Sequence, residues 1–83
     1  MDSVRVFAVL DYHTKSVQVC VMDSDGKRLM NKSCANDAQV IREQIEQHGK
    51  RCLVALEACT GAANLAEELK AFPEWTVNLA HPF

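Results

Sequence analysis

The fold of this sequence is decided by the stretch Val4-Arg5-Val6-Phe7-Ala8-Val9-Leu10-Asp11. Its side chains are mostly β-branched, aromatic or aliphatic, and such a continuous run predicts a central strand covered on both faces. The run ends in Asp11, and an unpaired charge is costly inside a protein. Asp11 therefore either begins a turn or stands where a negative charge is used.

Hydrophobic periodicity on the carboxyl side of this strand predicts four more strands and two helices. The connection after the first strand is short enough only for an antiparallel hairpin. Asn36 is predicted to cap the first helix, with Asp37 in its first turn, and Thr60 is predicted to cap the second. The predicted strands cover residues 4–10, 16–22, 27–34, 52–56 and 75–79, and the helices lie before and after the fourth strand. The fourth strand, like the first, is a continuous apolar run and is predicted to be covered on both faces. Pro73 is predicted to end the second helix.

This order of elements predicts an α/β domain spanning residues 1–83, built on a mixed five-stranded sheet. Placing the fourth strand beside the first gives the spatial order 3-2-1-4-5, with strand 2 antiparallel to the others. Right-handed crossovers then put both helices on one face of the sheet. The other face stays bare, which predicts coverage by a helix beyond Phe83 or by a partner chain, with homo-oligomerisation as one form.

The same strand order brings two carboxylates to one edge of the sheet. Glu57 closes the fourth strand as Asp11 closes the first, and neighbouring strands lie about 4.8 Å apart. Ligands commonly bind at the carboxyl ends of parallel strands, so we expect these two side chains to share a divalent cation. Asp23 and Asp25 fall at the opposite end of the first hairpin and are predicted to form its turn.

Composition limits the classes of function. A net charge of -2 offers no broad basic surface for non-specific nucleic-acid binding. The four cysteines match no common zinc-ligand spacing, and we expect reduced thiols in a cytoplasmic protein, with Cys59 packed and inert. No signal peptide is recognised, and no apolar run approaches the roughly 18 residues of a membrane span.

Four motifs, in this order and spacing, carry a resemblance to a known family. They are L-D-Y-H-T-K-S-V at 10–17, D-S-D-G-K at 23–27, V-A-L-E-A-C-T-G-A-A at 54–63 and L-A-H-P at 79–82. Together they resemble the amino-terminal, RuvC-like domain of a bacterial insertion-sequence transposase family with an Asp-Glu-Asp-Asp catalytic set. That domain has the ribonuclease H-like fold, and the resemblance implies that this chain stops before the fold's carboxy-terminal helices.

The resemblance implies metal-dependent DNA cleavage and strand transfer. Asp11 and Glu57 would be catalytic carboxylates and ligands for Mg²⁺ or Mn²⁺, with two ions in the complete domain. The family's remaining two aspartates would lie beyond residue 83, so we expect the 83 residues alone to be inactive. DNA is the implied partner, and a guide-like RNA is implied for the longer protein.

Other candidate residues have ordinary explanations beside the functional one. His13 and Lys15 are predicted phosphate contacts or simply exposed turn residues. Thr60 and Gly61 open a helix whose free N–H groups suit a phosphate oxygen, although Thr60 is equally explained as a cap. His81 ends the last strand at the same edge.

Three other functions remain open from the residues. One is a RuvC-like junction-resolving nuclease, and another is a non-catalytic dimerisation module with the same fold. The third is the phosphate-binding lobe of an actin-like ATPase or sugar kinase. It is disfavoured because His13 stands where those proteins generally place glycine.

Overall fold

The protein's structure, a computed structural model, describes residues 5–13, 15–57, 59 and 61–80. Five strands and two helices follow one another there in the predicted order βββαβαβ. The observed strand ends differ from the predicted ones by at most two residues, and those of β2 coincide with the prediction. The elements are β1 (Arg5–Tyr12), β2 (Ser16–Met22), β3 (Arg28–Ala35), α1 (Ala38–Glu46), β4 (Arg51–Glu57), α2 (Ala62–Lys70) and β5 (Trp75–Ala80).

The five strands form one sheet in the order β3-β2-β1-β4-β5, which confirms the predicted arrangement. β1 pairs with β2 in antiparallel fashion and with β4 in parallel fashion, and β4 pairs in parallel with β5. β1 is therefore a central strand with parallel and antiparallel neighbours, as its apolar sequence suggested.

The hydrophobic core lies on one face of the sheet only. In β1 the even-numbered residues Val6, Ala8 and Leu10 are at most 2% exposed, whereas the odd-numbered Val9 is 47% exposed. β4 has the same alternation, which is the period of a strand with one covered face. The prediction that β1 and β4 are covered on both faces is therefore wrong for the described residues. The prediction of one bare face is confirmed.

Both helices contribute their apolar stripe to the covered face. Ile41 and Ile45 of α1 are fully buried, and so is Leu69 of α2. An edge-to-face contact between Phe72 and Trp75, with ring centroids 5.1 Å apart, closes the core beyond the end of α2. α2 itself ends at Lys70, before Phe72 and the predicted stop at Pro73.

The helix caps differ from the prediction. Asp37, not Asn36, caps α1, because Asp37 Oδ1 accepts hydrogen bonds from the backbone N–H groups of Gln39 and Val40 at 2.9 and 3.2 Å. α2 is capped by Gly61 in a left-handed conformation, with no side-chain cap bond. Thr60, the predicted cap of α2, lies outside the described residues.

Candidate functional site

Asp11 lies inside β1 and is not a turn residue. It is aligned with Gln18 of β2, and the strand continues through Tyr12. The hairpin closes only afterwards, where the backbone N–H of His13 donates to the Ser16 carbonyl at 2.9 Å. The interpretation of Asp11 as the start of the turn is therefore wrong. Its carboxylate projects from the bare face of the sheet, because Asp11 shares the odd-numbered side of β1 with Val9.

Glu57 is the neighbour of Asp11 across the β1–β4 ladder. The parallel register aligns Val9 with Ala55 and Leu10 with Leu56, so the next position aligns Asp11 with Glu57. Strand alternation puts both side chains on the bare face, and adjacent strands are separated by about 4.8 Å. The predicted juxtaposition of the two carboxylates thus follows from the observed register.

An open pocket lies at this edge of the sheet. Its volume is about 530 Å³, and it is lined by Val9, Leu10, Asp11, Ala55, Leu56, Glu57 and Ala80. Ala80 is there because it is aligned with Glu57 in the β4–β5 ladder. The pocket therefore combines an apolar floor from three parallel strands with two acidic groups.

His13 is brought to the carboxylate pair. Its Nε2 lies 3.5 Å from Asp11 Oδ2, and the two side chains are 63% and 66% exposed. Attraction between groups so accessible to water is small. Lys15 lies exposed in the hairpin turn and forms no ion pair within the described part of the chain. His13 is thus placed at the site, and Lys15 is placed only near the end of the same hairpin.

Gly61 lies tightly against a tyrosine that the sequence did not indicate. Gly61 has φ +90°, and a Cβ atom built there would lie 2.5 Å from Tyr12 Oη. The Asn36 side-chain amide donates to the same Tyr12 oxygen at 3.0 Å. Tyr12 follows Asp11 directly but projects to the covered face, where it contacts the starts of both helices. Gly61 therefore has a tight packing role beside its predicted role as a phosphate contact.

The alternation of side chains along a strand was the only sequence signal for the position of Tyr12. If Asp11 occupies the bare face, the next side chain must point toward the helices. The contact with Gly61 could not be read from spacing, since 49 positions of chain separate the two residues. His81 and Thr60, the other predicted candidates at this edge, lie outside the described residues.

The cysteines are all free, but they are not alike. Burial raises the pKa of the Cys52 thiol to about 12, although a hydrogen bond with the Ala8 backbone acts in the opposite direction. Burial also raises the pKa of Cys34. Cys59 is exposed, so the prediction that it is packed is wrong. The two buried thiols are protonated packing groups at neutral pH.

The two carboxylates at the candidate site, those of Asp11 and Glu57, are ligands of the kind that a hard divalent cation prefers. Carboxylate oxygens are the ligands Mg²⁺ prefers, and Mg²⁺ is often held by one or two carboxylates with water or substrate oxygens completing its shell. Over residues 5–13, 15–57, 59 and 61–80, no group of three or more His, Cys, Asp or Glu side chains is assembled for a metal. Asp11 and Glu57 are therefore a two-carboxylate set.

The acidic residues at the other end of the first hairpin have a structural role. Asp23 Oδ1 accepts from the backbone N–H groups of Asp25 and Lys27, each at 2.9 Å. Gly26 supplies the positive φ of +85° that the turn needs. The prediction that these aspartates form a turn is confirmed.

Comparison with models of known protein families gives no match for this chain, and comparison with curated proteins gives none either. Among the described helices, neither has the length and apolar character needed to cross a membrane. The site must therefore be interpreted from its own geometry.

Proposed function

We propose that this chain is the amino-terminal part of a ribonuclease H-like, RuvC-like catalytic domain of a DNA transposase, which cleaves and joins phosphodiesters with Mg²⁺ or Mn²⁺. The observation that carries the proposal is the pairing of Asp11 with Glu57. They lie side by side near the carboxyl ends of two adjacent parallel strands of a 3-2-1-4-5 sheet, and they line an open pocket. The motif resemblance described above supplies the reaction class.

The two carboxylates suit this chemistry because of what surrounds them. Each is exposed on the bare face, so water or a phosphate oxygen can complete a cation's shell. With a net charge of -2, the chain as a whole does not attract DNA, and the two carboxylates at the site would repel a phosphate locally. A bound divalent cation would supply the positive charge that polarises the phosphodiester.

The protein's own residues would position and orient the substrate. Asp11 and Glu57 would hold the cation between the strand ends, and His13 would contact Asp11 from the hairpin side, where its Nε2 is already 3.5 Å away. Val9 and Ala55 would form the apolar floor. DNA is the proposed partner, and a guide-like RNA would bind through other parts of the longer protein.

Metal titration followed by NMR tests the site. We expect Mg²⁺ to shift, and Mn²⁺ to broaden, the side-chain carboxyl resonances of Asp11 and Glu57, with weak affinity because only two protein ligands are present. Asp23 provides the internal control, because its carboxylate is already engaged by two backbone N–H groups at the far end of the hairpin. Asp11→Asn and Glu57→Gln should each remove the response of the remaining partner.

Equal responses at Asp23 and at the Asp11–Glu57 pair would mean non-specific screening and would refute a site. Shifts confined to the pair that survive both single substitutions would refute shared coordination. Cleavage itself is assayed with the longer protein on DNA, comparing the wild type with Asp11→Asn.

A non-catalytic dimerisation module is the second candidate, favoured by the bare sheet face. Val9 is 47% exposed at the centre of that face, beside the half-buried Phe7 and Leu53. This function predicts self-association that Val9→Glu abolishes, together with no specific metal response at Asp11.

A RuvC-like junction resolvase would share the metal response, and DNA substrates with four-way junctions distinguish it from a transposase.

A further inference from the structure

The two edges of the sheet differ in charge. The outer edge strand β3 carries Arg28 and Lys32, both exposed, and its ladder with β2 shifts register at Val21 and Met22. Charged side chains and irregular pairing are features that keep an edge strand from pairing with another chain. β5, at the opposite edge, contains neither a charged residue nor a proline over Trp75–Ala80.

The ladder between β4 and β5 shows which peptide groups of β5 are free. The Cys52 N–H donates to the Glu74 carbonyl at 3.2 Å, and Cys52 is aligned with Trp75. Because peptide groups along a strand alternate in direction, those of Thr76 and Asn78 point toward β4. The peptide groups of Val77 and Leu79 therefore point away from the sheet, and no described strand pairs with them.

The free edge is complementary to itself. In an antiparallel pair centred on Val77, each Val77 peptide would exchange two hydrogen bonds with its counterpart. Each Leu79 N–H would donate to a Trp75 carbonyl, which remains free even though the Trp75 N–H donates to the Phe72 carbonyl at 3.1 Å. The outward-pointing N–H groups of Val77 and Leu79 and the Val77 carbonyl would then be satisfied. The Leu79 carbonyl would be left to water, because the Trp75 N–H that lies opposite it already donates to the Phe72 carbonyl.

The side chains match in the same register. Residues paired across an antiparallel ladder lie on the same face, so Trp75 would meet Leu79 of the second copy on the covered side. Thr76 would meet Asn78 of the second copy on the bare side, where both are exposed. The covered layer continues as an apolar layer, and the bare face receives polar neighbours.

We propose that β5 is a self-association edge, through which two copies of this chain join antiparallel β5 strands into a continuous ten-stranded sheet. The association is isologous and closes after two copies, because the edges left outside are the two charged β3 strands. This surface is distinct from the bare face, and the proposal stands whether or not Asp11 and Glu57 bind a metal.

Charge substitutions at the two exposed positions test the register. Thr76→Lys combined with Asn78→Lys places like charges opposite each other twice across the two-fold axis, and we expect self-association to weaken about tenfold or more. Thr76→Lys combined with Asn78→Glu places opposite charges at the same two positions, so association should be kept or strengthened. Sedimentation over a range of concentrations measures both, and each variant alters only exposed side chains.

Amide hydrogen exchange gives a second readout. The Thr76 and Asn78 amides should be protected at every concentration, because they bond to β4. The Val77 and Leu79 amides should become protected only as the protein concentration rises. A monomer at all concentrations with rapidly exchanging Val77 and Leu79 amides would overturn the proposal, and so would equal association of the two charge variants. Loss of association in Val9→Glu alone would assign the interface to the bare face instead.

Discussion

Gly61 offers the sharpest test of the packing behind the candidate site. Replacing it with alanine introduces a Cβ atom 2.5 Å from Tyr12 Oη, at a backbone φ of +90°. The left-handed conformation costs a non-glycine residue about 1–2 kcal/mol. The steric conflict adds about 1–3 kcal/mol, the range for overpacking at a tight contact. Gly61→Ala should therefore destabilise the fold by about 2–5 kcal/mol.

Gly26 is the matched control. Its φ of +85° imposes the same backbone penalty, but nothing lies within 4 Å of a Cβ atom built there. Gly26→Ala should consequently lose only about 1–2 kcal/mol. The difference between the two alanine variants isolates the steric contribution of Tyr12. It is a sizeable part of a total stability that, for 83 residues, is about 4–12 kcal/mol.

Tyr12→Phe completes a double-mutant cycle. Removing the hydroxyl forfeits the hydrogen bond from Asn36, worth about 0.5–1.5 kcal/mol. It also removes the 2.5 Å contact, leaving the ring carbon Cζ at 3.1 Å from the added Cβ. Gly61→Ala should thus cost less in the Tyr12→Phe background, although relief is incomplete.

Urea unfolding followed by tryptophan fluorescence measures all four proteins of the cycle, since Trp75 is the single tryptophan and is 6% exposed. Equal costs for Gly61→Ala and Gly26→Ala would refute the steric argument. Strict additivity of Gly61→Ala and Tyr12→Phe would show that the two residues do not interact.

Three further outcomes are expected. Asp11→Asn should change the free energy of unfolding by no more than about 0.5 kcal/mol, because the side chain is 66% exposed; a large loss in urea unfolding would mean that Asp11 is structural. Asp37→Ala should lower the free energy of unfolding by about 1 kcal/mol, because the side-chain cap of α1 is lost. An unchanged melting temperature would mean that Asp37 does not stabilise the start of α1. The pKa of Cys52 is raised from 9.0 to about 12 in the folded protein, so the contribution of its protonated thiol to stability is complete below pH 9 and is lost as the pH rises toward 12. The urea midpoint of the wild type should therefore fall with rising pH over that range, and the fall should be smaller in Cys52→Ala. An equal fall in the two proteins would contradict this prediction.

The strand order could be predicted because apolar periodicity and short connections leave few topologies. Asp11 was harder to place, since aspartate is depleted in strands and common in turns. Pairing with Gln18 keeps it in β1 nonetheless. Asn36 and Asp37 are both good caps, and only the backbone conformation after β3 decides between them.

The candidate carboxylate pair could be predicted because Asp11 and Glu57 each follow the apolar run of a strand, and the predicted strand order makes those two strands parallel neighbours. The contact between Tyr12 and Gly61 could not, since a positive φ and a close approach exist only once β1, α1 and α2 are packed together. Continuous apolar sequence likewise predicted coverage of β1 on both faces. Phe7 and Val9 are apolar but remain on the bare side, because a strand's sequence does not say what lies above it.

In β1 and β4 the even-numbered side chains point to the covered face and the odd-numbered ones to the bare face. The even-numbered positions therefore determine the stability of the core, and the odd-numbered positions determine the chemistry of the exposed surface. A library randomised at residues 7, 9, 11, 53, 55 and 57 would vary the pocket and its approach while leaving Val6, Leu10 and Val54 unchanged in the core. In such a sheet, substitutions can change the chemistry of the bare face while the core packing that stabilises the fold stays the same.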